Sequence, residues 1–179
     1  MTECKLKGPS VKRIPEGDDR ERLVCPDCGF IDYQNPRIVV GVVCTWQDKF
    51  LMCRRAIEPS VGKWTFPAGF MELNETVSEG AAREAREEAG IDVDVQDLIG
   101  IYQVPSVGHV MMMYRGVMRS PDYKAGIESL EVALFDWEDL PWDDLAFPSV
   151  EWTLRRYHAV RHEKDVQVAV ENAVSHKFK

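Results

Sequence analysis

The chain has 179 residues, 45% of them hydrophobic, five cysteines and a formal net charge of −8, enough to enclose the core of one ordinary domain with a small appendage. The acidic balance argues against a protein that wraps nucleic acid, whose affinity comes mainly from Lys and Arg on phosphates. No apolar stretch approaches the roughly 20 residues that span a bilayer, and the polar start MTECKLKGPS has no signal-peptide core. A cytoplasmic protein without membrane or nucleic-acid partners is expected, its odd set of Cys4, Cys25, Cys28, Cys44 and Cys53 serving as reduced thiols or metal ligands.

Residues 1–36 hold most of the Cys, Pro and Gly punctuation and read as a small loop-rich module. Cys25-Pro-Asp-Cys28-Gly has the spacing at which paired thiolates of a tight turn meet a second pair to close a tetrahedral zinc site. The module carries six Lys or Arg against seven Asp or Glu, so it is no basic patch for nucleic acid. A second domain is expected over 37–165, with a C-terminal tail over 166–179. It opens with IVVGVVCTW and FLMCRRA around Gln47-Asp48-Lys49, a hairpin pattern. Cys44 and Cys53 fall within these apolar runs and read as buried, inert thiols.

Asn74 is the expected N-cap of a helix with Ala-rich periodicity through Ala89 and a left-handed stop at Gly90. Runs at Leu98 to Val104, Val110 to Met118 and Glu131 to Trp137 read as strands, giving a sheet-centred domain with added helices. Ser149 precedes a second helix whose Val150, Leu154, Tyr157 and Val160 share a docking face, opposite Arg155 and Arg156. The tail, with VQVAV, is open between a short strand, an oligomer contact and a frayed end.

At about 100° per residue, Glu84, Glu87 and Glu88 fall within roughly a third of the first helix's circumference, beside a sector of Ala81, Ala82, Ala85 and Ala89. Like charges so close repel, and a hard divalent cation with oxygen ligands, Mg²⁺ or Mn²⁺, relieves them. A solvated acidic face is the plain alternative from spacing alone.

The stretch GFMELNETVSEGAAREAREEAGI resembles the Nudix box, G-x5-E-x7-R-E-U-x-E-E-x-G-U with U apolar. Gly69, Glu75, Arg83, Glu84, Ala85, Glu87, Glu88, Gly90 and Ile91 fill every specified position, Ala85 being small for its apolar slot. The resemblance implies a Nudix α/β/α sandwich with a mixed sheet, preceded by a zinc-ribbon-like module. It also implies that Glu84, Glu87 and Glu88, with the Ala68 carbonyl, bind divalent metal while Arg83 and Glu75 orient them. Either Glu84 or Glu87 within the box, or a distal glutamate, would be the general base. Glu128 is the preferred distal choice, on a loop, over Glu131 at a strand start. The run Lys63 to Ala68 lines the nucleotide site in this family, making Trp64 and Phe66, and less so Tyr102 and Arg54, candidate substrate contacts. Plain core is the alternative for the aromatics.

Residues 4–160 resemble a Nudix subgroup that carries an N-terminal zinc ribbon and includes FAD pyrophosphatases. There the first knuckle is C-x-x-C-G, whereas this chain has Cys4-Lys5-Leu6-Lys7-Gly8, so Lys7 stands where a thiolate ligand belongs. Zinc on Cys4, Cys25 and Cys28 therefore competes with a metal-free ribbon remnant. The resemblance implies hydrolysis of the pyrophosphate bond of a nucleoside diphosphate conjugate: FAD, ADP-ribose or a related dinucleotide. The alternatives are a housecleaning nucleoside triphosphate pyrophosphohydrolase and a non-hydrolytic nucleotide sensor. The downstream SQPWPFP motif of dedicated NADH pyrophosphatases is not present, and Pro105 lies near a proline frequent in ADP-ribose hydrolases. Oligomeric state stays open: homodimers are common in the family, and Met111-Met112-Met113 suits core or interface equally.

Overall fold

In the computed structural model, which describes residues 8–172, the change of sequence pattern near Pro36 separates two units, Met1–Asn35 and Pro36–Lys179. The first is a three-stranded antiparallel sheet of β1 (Val11–Arg13), β2 (Arg22–Val24) and β3 (Ile31–Asp32) in that order. Between β2 and β3 the Cys25 amide donates to the Phe30 carbonyl at 2.8 Å and the Gly29 amide to the Cys25 carbonyl at 3.0 Å. Gly29 supplies the positive φ of 77° that this tight turn requires. Among the unit's described residues Val24 and Cys25 are the buried hydrophobic ones.

The second unit runs β4 (Arg37–Trp46), β5 (Lys49–Arg55), β6 (Trp64–Thr65), β7 (Ala68–Phe70), α1 (Val77–Ala89), β8 (Val93–Val104), β9 (His109–Met118), β10 (Ser129–Phe135), α2 (Pro148–Val160) and β11 (Ala169–Asn172). The sheet order is β10-β5-β4-β9-β8-β11. β4 lies parallel to β9 and β11 parallel to β8, while the remaining pairings are antiparallel, so the sheet is mixed. The expected hairpin is present. Gln47 and Asp48 both have positive φ, 49° and 66°, the two-residue turn that follows strand twist. Away from that turn β4 and β5 part company, and the intervening edge is filled by β6 on β5 and β7 on β4. Gly41 of β4 permits this, because a Cβ there would stand 2.7 Å from the Ala68 Cβ.

Alternation along β4 divides the core. Val39 and Val43 join Phe50, Met52, Trp64, Phe66, Tyr102, Met113 and Leu140 against Val150 and Leu154 of α2. Val40, Val42 and Cys44 join Leu51, Cys53 and Met118 against Ala81, Ala85 and Ala89 of α1. This is the expected α/β/α sandwich with a mixed sheet, each fully buried large aliphatic side chain contributing about 1.5–3 kcal/mol. Burial raises the thiol pKa values of Cys44 and Cys53, Cys53 further through the nearby Glu88 charge. Met113 is core and Met111 packs on it.

Several boundaries differ from the sequence reading. The first helix begins at Val77 with Thr76, not Asn74, as N-cap: Thr76 Oγ1 accepts the Glu79 amide while Glu79 returns to the Thr76 amide, a complete capping box. Asn74 instead takes a positive φ of 66° in the preceding loop. Gly90 ends the helix in the left-handed conformation, φ 64°, as expected. β8 starts at Val93, well before Leu98, and α2 at Pro148, one residue ahead of Ser149. Arg115 caps the end of α2 by donating to the Val160 and Glu163 carbonyls, both at 3.0 Å. In the tail, Ala169–Asn172 forms an edge strand on β8. No helix among the described residues is long and apolar enough to cross a membrane.

Candidate active site

On the α1 face that meets the sheet the buried apolar residues are Gly80, Ala81, Ala85 and Ala89, so the helix backbone lies close to β4 and β7. Where glutamates replace alanine on the flank of that face they are drawn in as well: Glu84 is 8% exposed and Glu88 6%. Glu88 Oε2 accepts the Ala68 amide at 3.3 Å. Gly69 lies against Glu84 so closely that a Cβ there would be 2.3 Å from Oε1. The Ala68–Gly69 peptide is thus flanked by both carboxylates, and glycine at 69 is a matter of space rather than of φ. Glu87, one turn along, keeps a 60% exposed side chain.

Arg83 is the local counter-charge. Its guanidinium donates to both Glu75 oxygens at 3.0 Å, to Glu84 Oε1 at 2.8 Å, to Glu87 Oε2 at 2.9 Å and to the Phe70 carbonyl at 3.0 Å. Arg83's hydrogen bonds hold the Glu75 carboxyl below its usual range, and those to Glu75 raise the guanidinium. Gly80 makes room for Glu75, since a Cβ would stand 2.6 Å from its Oε1.

Glu84 and Glu88 are driven the other way. Burial raises the Glu84 pKa against the opposing Arg83, with Glu87 and Glu128 adding to the rise. Burial, then the Glu84 charge, pushes Glu88 up to about 8, opposed by the Ala68 amide and the Arg55 charge. Two buried carboxylates, one of them sharing Arg83 with Glu75 and Glu87, are a donor set of hard oxygens that fits Mg²⁺ or Mn²⁺. As the side chains stand, Glu84 and Glu87 turn toward Arg83, and no three acidic, Cys or His groups among the described residues converge as a ready-made cage.

Glu128 lies on the turn before β10, its charge acting on both Glu84 and Glu88. Glu131, already within β10, pairs instead with Arg54 at 3.7 Å. Three of the four expected substrate contacts lie in the core, the plain alternative for the aromatics. Trp64 at 8%, Phe66 at 2% and Tyr102 at 0% exposure are enclosed by the α2-side core and have no free ring face to stack on a base. Burial pushes the Tyr102 pKa up to about 12, opposed by the neighbouring Thr153. Arg54 is open to solvent and donates Nε to the Gly62 carbonyl at 2.8 Å.

Two residues escaped the sequence reading. Arg55, not Arg54, has the charge felt by Glu88, which strand alternation from the buried Cys53 anticipates. Phe70, next to the box glycine, is an exposed ring with His109 edge-on at 5.3 Å and the Arg37 guanidinium 5.3 Å from its centroid. In the first unit, Cys25 is buried and Cys28 exposed. Backbone amides of Cys28 and Asp27 directed at the Cys25 sulfur lower its pKa, as suits a thiolate ligand. Cys4 and Lys7 lie outside the described residues.

Comparison with known proteins agrees with this geometry. An ADP-ribose pyrophosphatase of Methanocaldococcus jannaschii is 33% identical over 113 residues, 61% of this chain and 67% of that protein. The NAD-capped RNA hydrolase NudC of Vibrio atlanticus is 32% identical over 124 residues, 66% of this chain but 44% of that protein. The chain thus spans two thirds of one such relative and less than half of the other. The crystal structure of a NUDIX hydrolase from Nitrosomonas europaea superposes with a TM-score of 0.85 at 44% identity, covering 96% of this chain and 98% of that one. The Nudix N-terminal family model, a zinc ribbon, matches residues 4–34, and the NUDIX domain model matches residues 35–159. With most of its length so matched, the chain belongs to the Nudix hydrolase family, preceded by that family's N-terminal ribbon.

Proposed function

We propose that the chain is a divalent-metal-dependent pyrophosphohydrolase of nucleoside diphosphate conjugates, with ADP-ribose, FAD or a related dinucleotide as substrate. The observation that carries this reading is the buried Glu84–Glu88 pair on either side of the Ala68–Gly69 peptide, with Glu128 within electrostatic reach of both. Two of the relatives are named for action on nucleotide conjugates, an ADP-ribose pyrophosphatase and an NAD-capped RNA hydrolase, which supports a conjugate as the substrate.

Glu84, Glu87, Glu88 and the Ala68 carbonyl would hold Mg²⁺ or Mn²⁺, which when bound neutralises phosphate oxygens and lowers the pKa of the attacking water. Glu128 accepts a proton from that water as its oxygen bonds to phosphorus. The bridging P–O bond breaks, the leaving phosphate takes up the electron pair, and two monophosphates result. Arg83, clamped by Glu75, holds the carboxylates of Glu84 and Glu87 together on one side of the site. Phe70, with Arg37 over its ring, is an exposed aromatic within the box and suits the planar half of a conjugate. Arg54 remains a candidate contact for an anionic group. Cys25 and Cys28 supply half of a zinc site in the ribbon. A cytoplasmic location and a homodimer belong to the same reading.

A panel of FAD, ADP-ribose, NADH and nucleoside triphosphates with Mg²⁺ and Mn²⁺ tests it. FAD should give AMP and FMN, and ADP-ribose AMP and ribose 5-phosphate. Turnover confined to triphosphates replaces the conjugate with a housecleaning role, and tight binding without turnover replaces hydrolysis with sensing.

A further inference from the structure

The loop between β9 and β10 is irregular for most of its length, yet its last part is stitched to the helix that carries the carboxylates. The Lys124 amide donates to the Ala89 carbonyl at 2.8 Å and the Gly126 amide to the Glu88 carbonyl at 3.0 Å. These are two of the carbonyls that a helix C-terminus leaves without internal partners. The Ser129 amide closes a four-residue turn onto the Gly126 carbonyl at 3.1 Å, and Glu128 is the third residue of that turn. On its other side the turn is tied to the end of β5, where the Ala56 amide donates to the Glu128 carbonyl at 2.8 Å.

Gly126 sits where no other residue fits. A Cβ built there would lie 1.8 Å from the Glu87 carbonyl oxygen and 3.3 Å from the Glu88 Cα. Both are backbone atoms of the turn that carries two of the site's glutamates, so no flexible side chain can yield. The shortfall from ordinary contact is roughly 1.5 Å, and Gly126 has no positive φ to give glycine another reason for being there.

We infer that Gly126 is a positioning residue for the reaction: its bare Cα lets the 124–129 segment seat directly on the last turn of α1, which fixes Glu128 relative to Glu84 and Glu88. The inference rests on the reading of Glu128 as general base. The base is then held by the backbone of the same helical turn that supplies the metal-binding carboxylates, so that the two halves of the site move as one body. Any side chain at 126 must lift the turn away from α1 and carry Glu128 with it, and a displacement of about 1 Å in a reacting group is enough to cost on the order of 100-fold in rate.

A double-mutant cycle on the full chain tests this, using Gly126→Ala, Glu128→Gln and the pair, with Mg²⁺ and ADP-ribose. Gly126→Ala should lower kcat by about 100-fold while KM stays within about two-fold, the range of independent additive effects. On top of Glu128→Gln it should add less than about two-fold, because nothing is left to position. Lys124→Ala, which keeps every backbone group, should retain wild-type turnover. Hydrogen exchange gives a second readout that needs no turnover: the amides of residue 126 and Ala56 should be protected in the wild type and exchange faster in Gly126→Ala. Wild-type kcat in Gly126→Ala, a full additional loss on Glu128→Gln, or unchanged protection overturns the inference alone. Full activity of Glu128→Gln removes the base and the inference with it, and a wild-type chain with protected amides but no turnover of any conjugate overturns the functional reading as well.

Discussion

The two faces of the sheet are packed by opposite means. Against α1 the buried set is Val, Leu, Ile, Met, Cys and three fully buried alanines, with Trp46 and Tyr114 half-buried at its margin. Against α2 it contains Phe50, Trp64, Phe66 and Tyr102, and half-buried Trp137, Trp142, Phe147 and Trp152 pack around them. Small side chains bring a helix backbone near its neighbours, as the missing room for a Cβ at Gly69, Gly80 and Gly126 shows. Large rings fill a wider gap and hold the layers together by area. The first kind of packing positions charged groups, and the second supplies stability.

If that division is right, the largest effect on turnover comes from the α1 face. Glu88→Gln keeps shape and volume but is a poor ligand for a hard cation. Turnover should fall by more than about 100-fold, beyond the 10–100-fold typical of residues that only support metal ligands, with circular dichroism unchanged. Near-wild-type rates would take Glu88 out of the site and leave the α1 face without its chemical distinction.

On the α2 face the same reasoning separates stability from binding. Phe66→Leu should cost about 1 kcal/mol of stability, or about 2–4 °C in Tm for a chain of this size, and leave KM for FAD or ADP-ribose unchanged. A tenfold rise in KM at unchanged stability would restore Phe66 as a substrate contact and show that the aromatic face does more than fill space.

The α1 face was the more legible of the two in sequence, for physical reasons. A helical period places Glu84 and Glu88 one turn apart whatever surrounds them, and Gly90 marks a left-handed stop that only its backbone needs. The choice of Thr76 over Asn74 was also written locally, since Thr76-Val77-Ser78-Glu79 spells the capping box. Burial is different. Whether Trp64 and Phe66 line a site or a core depends on α2, Pro148–Val160, which packs on them from far along the chain, and strand alternation alone does not say which face is covered. Gly126 is harder still, because the reason for it is a carbonyl on Glu87, distant in the chain.

The pH dependence of stability in metal-free buffer, an effect that leaves turnover untouched, should also belong to one face. Glu88 is raised to about 8 in the folded chain, whereas an unfolded glutamate titrates near its ordinary value of about 4.3. Below that lower value both states hold the proton and Glu88 contributes no penalty. Between the two values the unfolded chain gives up the proton while the folded site resists doing so, so the folded state binds more protons and stability falls as pH rises. Above about 8 the loss is complete and flat. Tm without metal should therefore decline steadily from pH 5 to pH 8. Glu88→Gln should remove most of that slope, and excess Mg²⁺ should flatten it by favouring the ionised carboxylate. Tyr102 on the opposite face, pushed up to about 12, stays protonated throughout that range and contributes nothing to it. A slope that survives in Glu88→Gln would mean that the titrating group lies elsewhere and that the carboxylates of α1 are already compensated by Arg83 alone.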